Sequence, residues 1–539
     1  MQSTMQPFPL TIAGIFRHGR AAHGDSEVVT LTESGARRTR FADLAARVER
    51  LASALHQLGV RDGDRVATFA WNSQEHVEAY FAVPSMGAVL HTLNIRLAPA
   101  EIAYIIDHAR DKIILVDADL VPALARALPE LQHPVERIVV IGDADTRPLG
   151  ADVLRYEPLL ADAPPAFSWP ALDENAAAAM CYTSGTTGRP KGVVYSHRST
   201  YLHSMAQCMG AALGISERDT VLPIVPMFHA NAWGLPYAAW MSGADLAMPA
   251  RFANAVGICR LIASARPTVM AGVPTVFRDM LAYGESTAID LSSLRGILCG
   301  GSAVPEALIA GFEERYGLPI FQGWGMTETS PVAALAIPPK RGGVHSPLRY
   351  RAMAGRILPG VELRIIDDAG VEQPWDGQAE GEIGVRGPWV TTSYYGEPTP
   401  EKFHDGWLRT GDVGTVEATG FIRITDRAKD VIKSGGEWIS SVALENLVMG
   451  HPAVAEAAVI GVPDEKWGER PLACVVAKPG QTLDVAALTA HLDGKVARWW
   501  LPERWAFVDE VPKTSVGKFD KKVLRHRYAE GKLLVQHIK

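Results

Sequence analysis

The chain switches repeatedly between two hydrophobic rhythms, and this alternation narrows its possible folds more than any other feature. Over residues 41–58 apolar side chains recur at helical spacing, with Gly59 placed as a stop. Residues 65–70 read as a strand behind the turn Asp62-Gly63, 101–108 as a helix, and 112–116 and 137–141 as strands. Strand runs continue at 221–225, 294–298 and 319–321. Strands alternating with helices predict an α/β fold in which helices pack on largely parallel sheets. At 539 residues the chain exceeds what one hydrophobic core holds, so at least two domains are expected.

The later strand runs empty into loops rich in glycine and aromatic residues. Residues 221–225 open onto Pro226-Met227-Phe228-His229-Ala230-Asn231-Ala232-Trp233. Residues 294–298 lead to Gly300-Gly301-Ser302, and 319–321 to Gln322-Gly323-Trp324-Gly325-Met326-Thr327-Glu328. In an open α/β sheet, ligands bind at the carboxyl ends of the strands, so these loops point to one shared site. A fourth loop, Tyr182-Thr183-Ser184-Gly185-Thr186-Thr187-Gly188-Arg189-Pro190-Lys191-Gly192, lies between β-type runs at 176–182 and 192–195. Its glycines allow successive backbone N–H groups to turn toward a polyphosphate, with Lys191 adding charge and a hydroxyl reaching Mg²⁺. The spacing is not Gly-x-x-x-x-Gly-Lys-Ser/Thr, and a flexible linker is the alternative for a Ser/Thr/Gly run.

From about residue 355 to 426, short β-like runs at 361–366, 382–385 and 421–424 suggest a small β-rich subdomain. The charge cluster Asp426-Arg427-Ala428-Lys429-Asp430 marks a boundary. Beyond it, 444–449 reads as a helix with Ser441 as N-cap and Gly450-His451-Pro452 as stop. Strands at 457–460 and 472–477 and a helix near 486–492 follow. The expected organisation is a large N-terminal domain over 1–426, a hinge at 427–430, and a small mobile α+β lid over 431–539.

Composition excludes several function classes. With 47% hydrophobic and 21% charged residues and a net charge of −7, nothing favours nucleic acid or an anionic membrane as partner. No stretch reaches membrane-span length, and residues 1–10 lack the pattern of a signal peptide. The five scattered cysteines form no Cys-x-x-Cys pair, which fits a reducing, cytoplasmic setting rather than a zinc site.

The candidate residues suit one kind of chemistry. Joining a carboxylic acid to a thiol is uphill until the acid oxygen becomes a leaving group. ATP achieves this when the carboxylate attacks the α-phosphorus and pyrophosphate departs. Both reactants are anions, so the site must neutralise and align them. Glu328 is a candidate Mg²⁺ ligand, or else a carboxylate capping a helix begun at Thr327; Ser184 can add a hydroxyl. Trp324 offers a face for adenine, or packs in the core. Asp412 can accept both ribose hydroxyls or close a turn, and Arg427 can meet phosphate or ribose or form a surface ion pair. Pro512-Lys513-Thr514-Ser515-Val516-Gly517-Lys518 places a lysine after a bendable segment. Its ammonium can bridge the carboxylate and α-phosphate, or belong to a solvated basic tail with Lys521 and Lys522.

Together, in order and over residues 40–525, these stretches resemble the motifs of the adenylate-forming acyl-CoA synthetase superfamily. Residues 83–92, 226–233 and 434–441 are most similar to bacterial long- and medium-chain fatty-acyl-CoA synthetases. The resemblance implies ligation of a fatty carboxylate to coenzyme A through an acyl-adenylate, with release of AMP and pyrophosphate. An aryl, short branched or sulfur-bearing acid is the alternative substrate. It implies magnesium at Ser184 and Glu328, and the nucleotide against Thr183, Ser184, Gly185, Thr186, Thr187, Gly188, Lys191, Gly301, Gln322, Gly323, Trp324, Thr327, Asp412, Arg427, Lys429 and Lys433. The acid falls beside His229, Ala230, Trp233 and Gly301, with Trp438 as gate, while Gly435 and Gly436 line the thiol path. Lys518, with Thr327 and Glu328, is the implied catalytic set, Lys429 the hinge, and a homodimer the implied assembly.

Overall fold

The computed structural model describes residues 1–150, 152–183, 189–341, 343–367, 369–434, 437–514 and 518–538, with the backbone alone for Glu437 and Trp438. Two large sheets build the N-terminal domain. Among the described residues the first has seven strands, in the order Val153–Arg155, Arg137–Ile141, Asp111–Asp117, Arg65–Phe69, Val89–Thr92, Ala177–Tyr182, Gly192–Ser196. All neighbours run parallel except the last pair, Ala177–Tyr182 against Gly192–Ser196, whose antiparallel pairing pins both ends of the Ser/Thr/Gly loop. These strands are short runs of Val, Ile, Leu and Ala buried on both faces, the pattern of a sheet covered by helices on each side.

Among the described residues the second sheet has nine strands, with a parallel core of Glu27–Leu31, Asp245–Met248, Thr220–Pro223, Val269–Gly272, Gly296–Gly300 and Ile320–Gly325. Its carboxyl ends deliver His229 to Trp233, Gly300-Gly301 and Trp324 to Glu328. The expected strand at 294–298 is shifted to Gly296–Gly300. Pairing of Val269 with Gly296 sets that register and carries the strand out to the glycine pair. The hairpin Glu27–Leu31 and Ala36–Arg40, in a region where the sequence pattern resolves no particular element, completes this sheet through Asp245–Met248. The helices joining the sheets meet at Trp240, which stacks on Phe41 at 4.1 Å. Gly19 lies under the same indole, leaving no room for a Cβ.

The β-rich sheet is formed by Glu362–Ile366, Gly381–Arg386, Phe403–His404, Trp407–Val416 and Ile422–Arg427. The chain leaves it at Arg427 and enters the sheet of the small C-terminal domain at Ile432. There the helix Ser441–Met449 starts three residues before the expected 444, and Ser440, not Ser441, is its N-cap. The Ser440 hydroxyl accepts from Ala443 N at 3.0 Å and donates to the Thr425 carbonyl, so the cap is also a tie between the domains. Ser441 N–H donates to Asp426 at 2.6 Å, and Arg525 pairs with Asp430 at 2.7 Å. Among the described residues, no helix is long and apolar enough to cross a membrane.

Candidate active site

The strand-end loops converge, and the backbone explains how. Ala230, Asn231, Ala232 and Trp233 all have positive φ (43–57°) and are followed by Gly234 at 73°, a left-handed turn of non-glycine residues. Each such residue carries on the order of 1 kcal/mol of strain, so tertiary packing must hold the turn. Cys181 donates its thiol to Asn231 Oδ1 at 2.7 Å, and Gly234 lies against His203 too closely for a Cβ. The turn lays the Trp233 indole beside the end of Gly296–Gly300, where its ring edge is 3.3 Å from the place of a Gly300 Cβ. Trp233 is 4% exposed.

Gly301, at φ +85°, adopts a conformation that disfavours other residues. The space its side chain would enter holds the Lys518 stem, with Cε at 3.9 Å. Lys518 therefore reaches across from the C-terminal domain into the strand-end cleft. Burial pushes its ammonium down to about 8; Arg427 and Lys429 add repulsion, while Asp412 and Glu328 oppose it. Burial, then the positive Lys518 and Arg96, hold His229 down at about 3, so its ring is neutral at physiological pH.

Asp412, whose charge acts on this lysine, is buried at 4% exposure. Trp324 Nε1 donates to its Oδ2 at 2.8 Å, and Arg427 Nε contacts its Oδ1 at 2.6 Å. Each oxygen has a second lone pair for a hydroxyl donor. The indole expected to face adenine thus also orients the carboxylate expected to face ribose. Gln322 Oε1 is taken by Val304 N at 2.7 Å, which ties the glycine loop to the neighbouring strand. Gly323 is packed under Leu298.

Glu328 follows on the short turn Thr327–Thr329. Tyr195 donates to the Thr327 carbonyl at 2.8 Å and Thr391 N to the Glu328 carbonyl at 2.8 Å, so both large sheets and the β-rich sheet grip the motif. Tyr394 donates to Glu328 Oε1 at 2.5 Å, and no hydrogen bond between described residues reaches Oε2. A buried carboxylate suits a hard dication that takes few protein oxygens. Lys191 lies 4.8 Å from the Tyr394 ring centre and 3.5 Å from Glu397. Its backbone N–H donates to Thr183 Oγ1 at 3.1 Å, joining the two ends of the Ser/Thr/Gly loop.

Ser184, Gly185, Thr186, Thr187 and Gly188 lie outside the described residues, as do Gly435, Gly436 and the Trp438 side chain. Lys433 is on the strand Ile432–Ser434, exposed, and paired in register with Trp438. Lys429 is exposed in the link between the domains, and the partial desolvation it meets there lowers its ammonium. Tyr394 and Lys402 were not legible in advance. Lys402 is lowered by burial, feels Glu328 and Asp412, and lies 3.7 Å from the place of a Gly411 Cβ. Both come from loops of the β-rich sheet whose local sequence carries no phosphate-loop or strand-end signature; only the Tyr394-Tyr395-Gly396 run stands out.

A lysine that reaches the cleft only because its domain is docked there suits chemistry needing positive charge in one step and open space in the next. This is the class of two-step ligases that activate an acid with a nucleotide before passing it on. The chain belongs to the AMP-binding enzyme family, whose model matches residues 16–395, and the AMP-binding enzyme C-terminal domain matches 443–518. It is 43% identical over 538 residues to a 3-methylmercaptopropionyl-CoA ligase of Ruegeria pomeroyi, covering 98% of this chain and 99% of the relative. It is 45% identical over 534 residues to a long-chain-fatty-acid–CoA ligase of Thermus thermophilus, covering 98% and 97%. The crystal structure of an anthranilate CoA ligase in complex with anthranoyl-AMP superposes with a TM-score of 0.87 at 28% identity, covering 98% of this chain and all of that one. The chain is an AMP-forming acid–thiol ligase that works through an acyl-adenylate with ATP, Mg²⁺ and coenzyme A.

Proposed function

We propose that the acid is an apolar, unbranched monocarboxylate, with medium-chain fatty acids as the leading substrates. The observation that carries this is the Trp233 indole, buried beside Gly300, the residue before the glycine that the Lys518 stem approaches. With the neutral His229 and the methyl of Ala230, it gives the acyl group an apolar wall and sets where a chain must end or turn. A second reading, a short sulfur-bearing acid, is favoured by the Ruegeria pomeroyi relative and by the bulk of the same indole. Pyrophosphate release is to be measured across straight-chain acids of increasing length, 3-methylmercaptopropionate and aryl acids, with and without CoA. We expect kcat/KM to peak at medium length and Trp233→Ala to move the peak to longer chains, since each added methylene is worth about 0.8 kcal/mol of burial. A peak on the thioether acid would select the second reading, and an unmoved peak in Trp233→Ala would remove the indole from the wall.

In this reading Lys518 bridges the carboxylate and the α-phosphate, Asp412 holds the ribose, and the loop from Thr183 to Lys191 holds the outer phosphates. Glu328, joined by Ser184, holds Mg²⁺, which supplies charge neutralisation on the phosphates. Thr327, Gln322, Gly323, Trp324, Arg427 and Lys433 complete the nucleotide contacts. Rotation about Lys429 then withdraws Lys518 and brings Gly435 and Gly436 in as the thiol path, with Trp438 gating the acyl channel. We place the enzyme in the cytoplasm, consistent with five free thiols, and as a homodimer. Sedimentation at twice the chain mass is expected; a monomer at micromolar concentration would overturn the dimer.

A further inference from the structure

Lys518 begins the second of two paired arms, 512–514 and 518–520, that form the base of a hairpin. Thr514 N–H donates to the Lys518 carbonyl at 2.7 Å, Lys518 N–H to Thr514 Oγ1 at 3.2 Å, and Asp520 N–H to the Pro512 carbonyl at 2.7 Å. Lys513 and Phe519 are bridged at its base. The position of that base therefore governs where the Lys518 ammonium arrives.

The base is anchored by a carboxylate with no part in the chemistry. Glu456, on the strand Val454–Asp464, has a side chain 8% exposed. Its Oε1 takes Lys513 Nζ at 2.8 Å from the hairpin and Arg278 Nη2 at 2.7 Å from the large domain. Arg278 stands on the helix Pro274–Ser286, next to Val273, whose Cγ1 lies 3.4 Å from the place of a Gly301 Cβ. The helix whose N-cap residue lies beside Gly301 thus also carries the cation that meets Glu456 and, through it, the lysine hairpin. Asp279, 3.8 Å from Arg278 Nε, faces the same group of charges from the large-domain side.

We propose that Glu456 is a positioning residue: held by Arg278 across the domain boundary and by Lys513 within its own domain, it latches the C-terminal domain in the orientation that presents Lys518. The latch must open at Arg278, not at Lys513, when the domain turns for the thiol step. A buried carboxylate leaving one of two cations keeps the other, so release does not strand an unpaired charge, which would be strongly unfavourable. The inference rests on the reading that Lys518 serves adenylation.

The test compares the two half-reactions in Arg278→Ala, Arg278→Lys and Glu456→Gln, with Lys518→Ala as reference. Arg278→Ala is expected to slow acyl-adenylate formation roughly five- to thirtyfold, the effect of one or two kcal/mol on a two-state equilibrium. Transfer of a supplied acyl-adenylate to CoA should be unchanged or faster. Arg278→Lys should recover most of the loss, and Glu456→Gln should match Arg278→Ala or exceed it. Equal losses in both half-reactions, or an unchanged adenylation rate in Arg278→Ala, would overturn the latch. If Lys518→Ala itself spares adenylation, the underlying assignment fails instead, and the reference variant separates the two cases.

Discussion

Lys518→Ala is expected to slow acyl-adenylate formation by about 10²- to 10³-fold or more, the scale of losing a preorganised charge aimed at a developing anion. Conversion of supplied acyl-adenylate and CoA to thioester should stay within a few-fold of the parent enzyme. The asymmetry follows from the geometry. Lys518 enters the cleft beside Gly301 through its own hairpin, so the ammonium can act only while the C-terminal domain is docked. The same lysine sets a pH limit. The charged form is the active one, and burial, with Arg427 and Lys429 nearby, lowers it to about 8 in the free enzyme. The adenylation kcat/KM, which reports the free enzyme, should therefore fall as pH rises through that value. In Lys518→Arg the fall should vanish within the accessible range, because a guanidinium stays protonated. Equal loss of both half-reactions, or a profile flat to high pH in the parent, would contradict the assignment.

Asp412→Asn is expected to lower the adenylation kcat/KM by about 10²-fold, mostly through ATP, because truncating one partner of a buried charge pair costs about 2–5 kcal/mol. The loss has two parts. The carboxylate takes the Trp324 indole N–H and the Arg427 guanidinium, one on each oxygen, and an amide cannot accept both in place. Asp412 is also one of the two carboxylates supporting the charge on Lys518, with Glu328. Its removal should move the alkaline fall of the adenylation profile to lower pH. A variant with weakened ATP use but an unmoved profile would show that Asp412 and Lys518 are not coupled.

The elements most visible beforehand are those whose local pattern and tertiary environment agree. The strand Arg137–Ile141 matches its expected bounds, and the helix Phe41–Gln57 differs by one residue, because each is an apolar run buried where its period predicts. The strand Gly296–Gly300 does not match, since pairing with Val269–Gly272 rather than its own composition sets where it begins. Ser441 looked like the cap of its helix, and Ser440 is the cap, because Asp426 across the boundary claims the Ser441 N–H. Tyr394, Lys402, Arg278 and Glu456 lie in no phosphate-loop or strand-end signature, as each acts through a partner distant along the chain.

What the residue order determined alone was the chemistry: a hydroxyl-rich loop between β runs, glycine and aromatic loops at strand ends, and a lysine after a bendable segment. These are local because backbone freedom and side-chain type belong to short stretches. What only the tertiary structure decided was partnership. Trp324 orients Asp412, a left-handed turn aims Trp233, and Glu456 is shared between Arg278 and Lys513. Such contacts join residues far apart in the chain, and burial, which gives them their strength, exists only once the sheets and the small domain have closed around them.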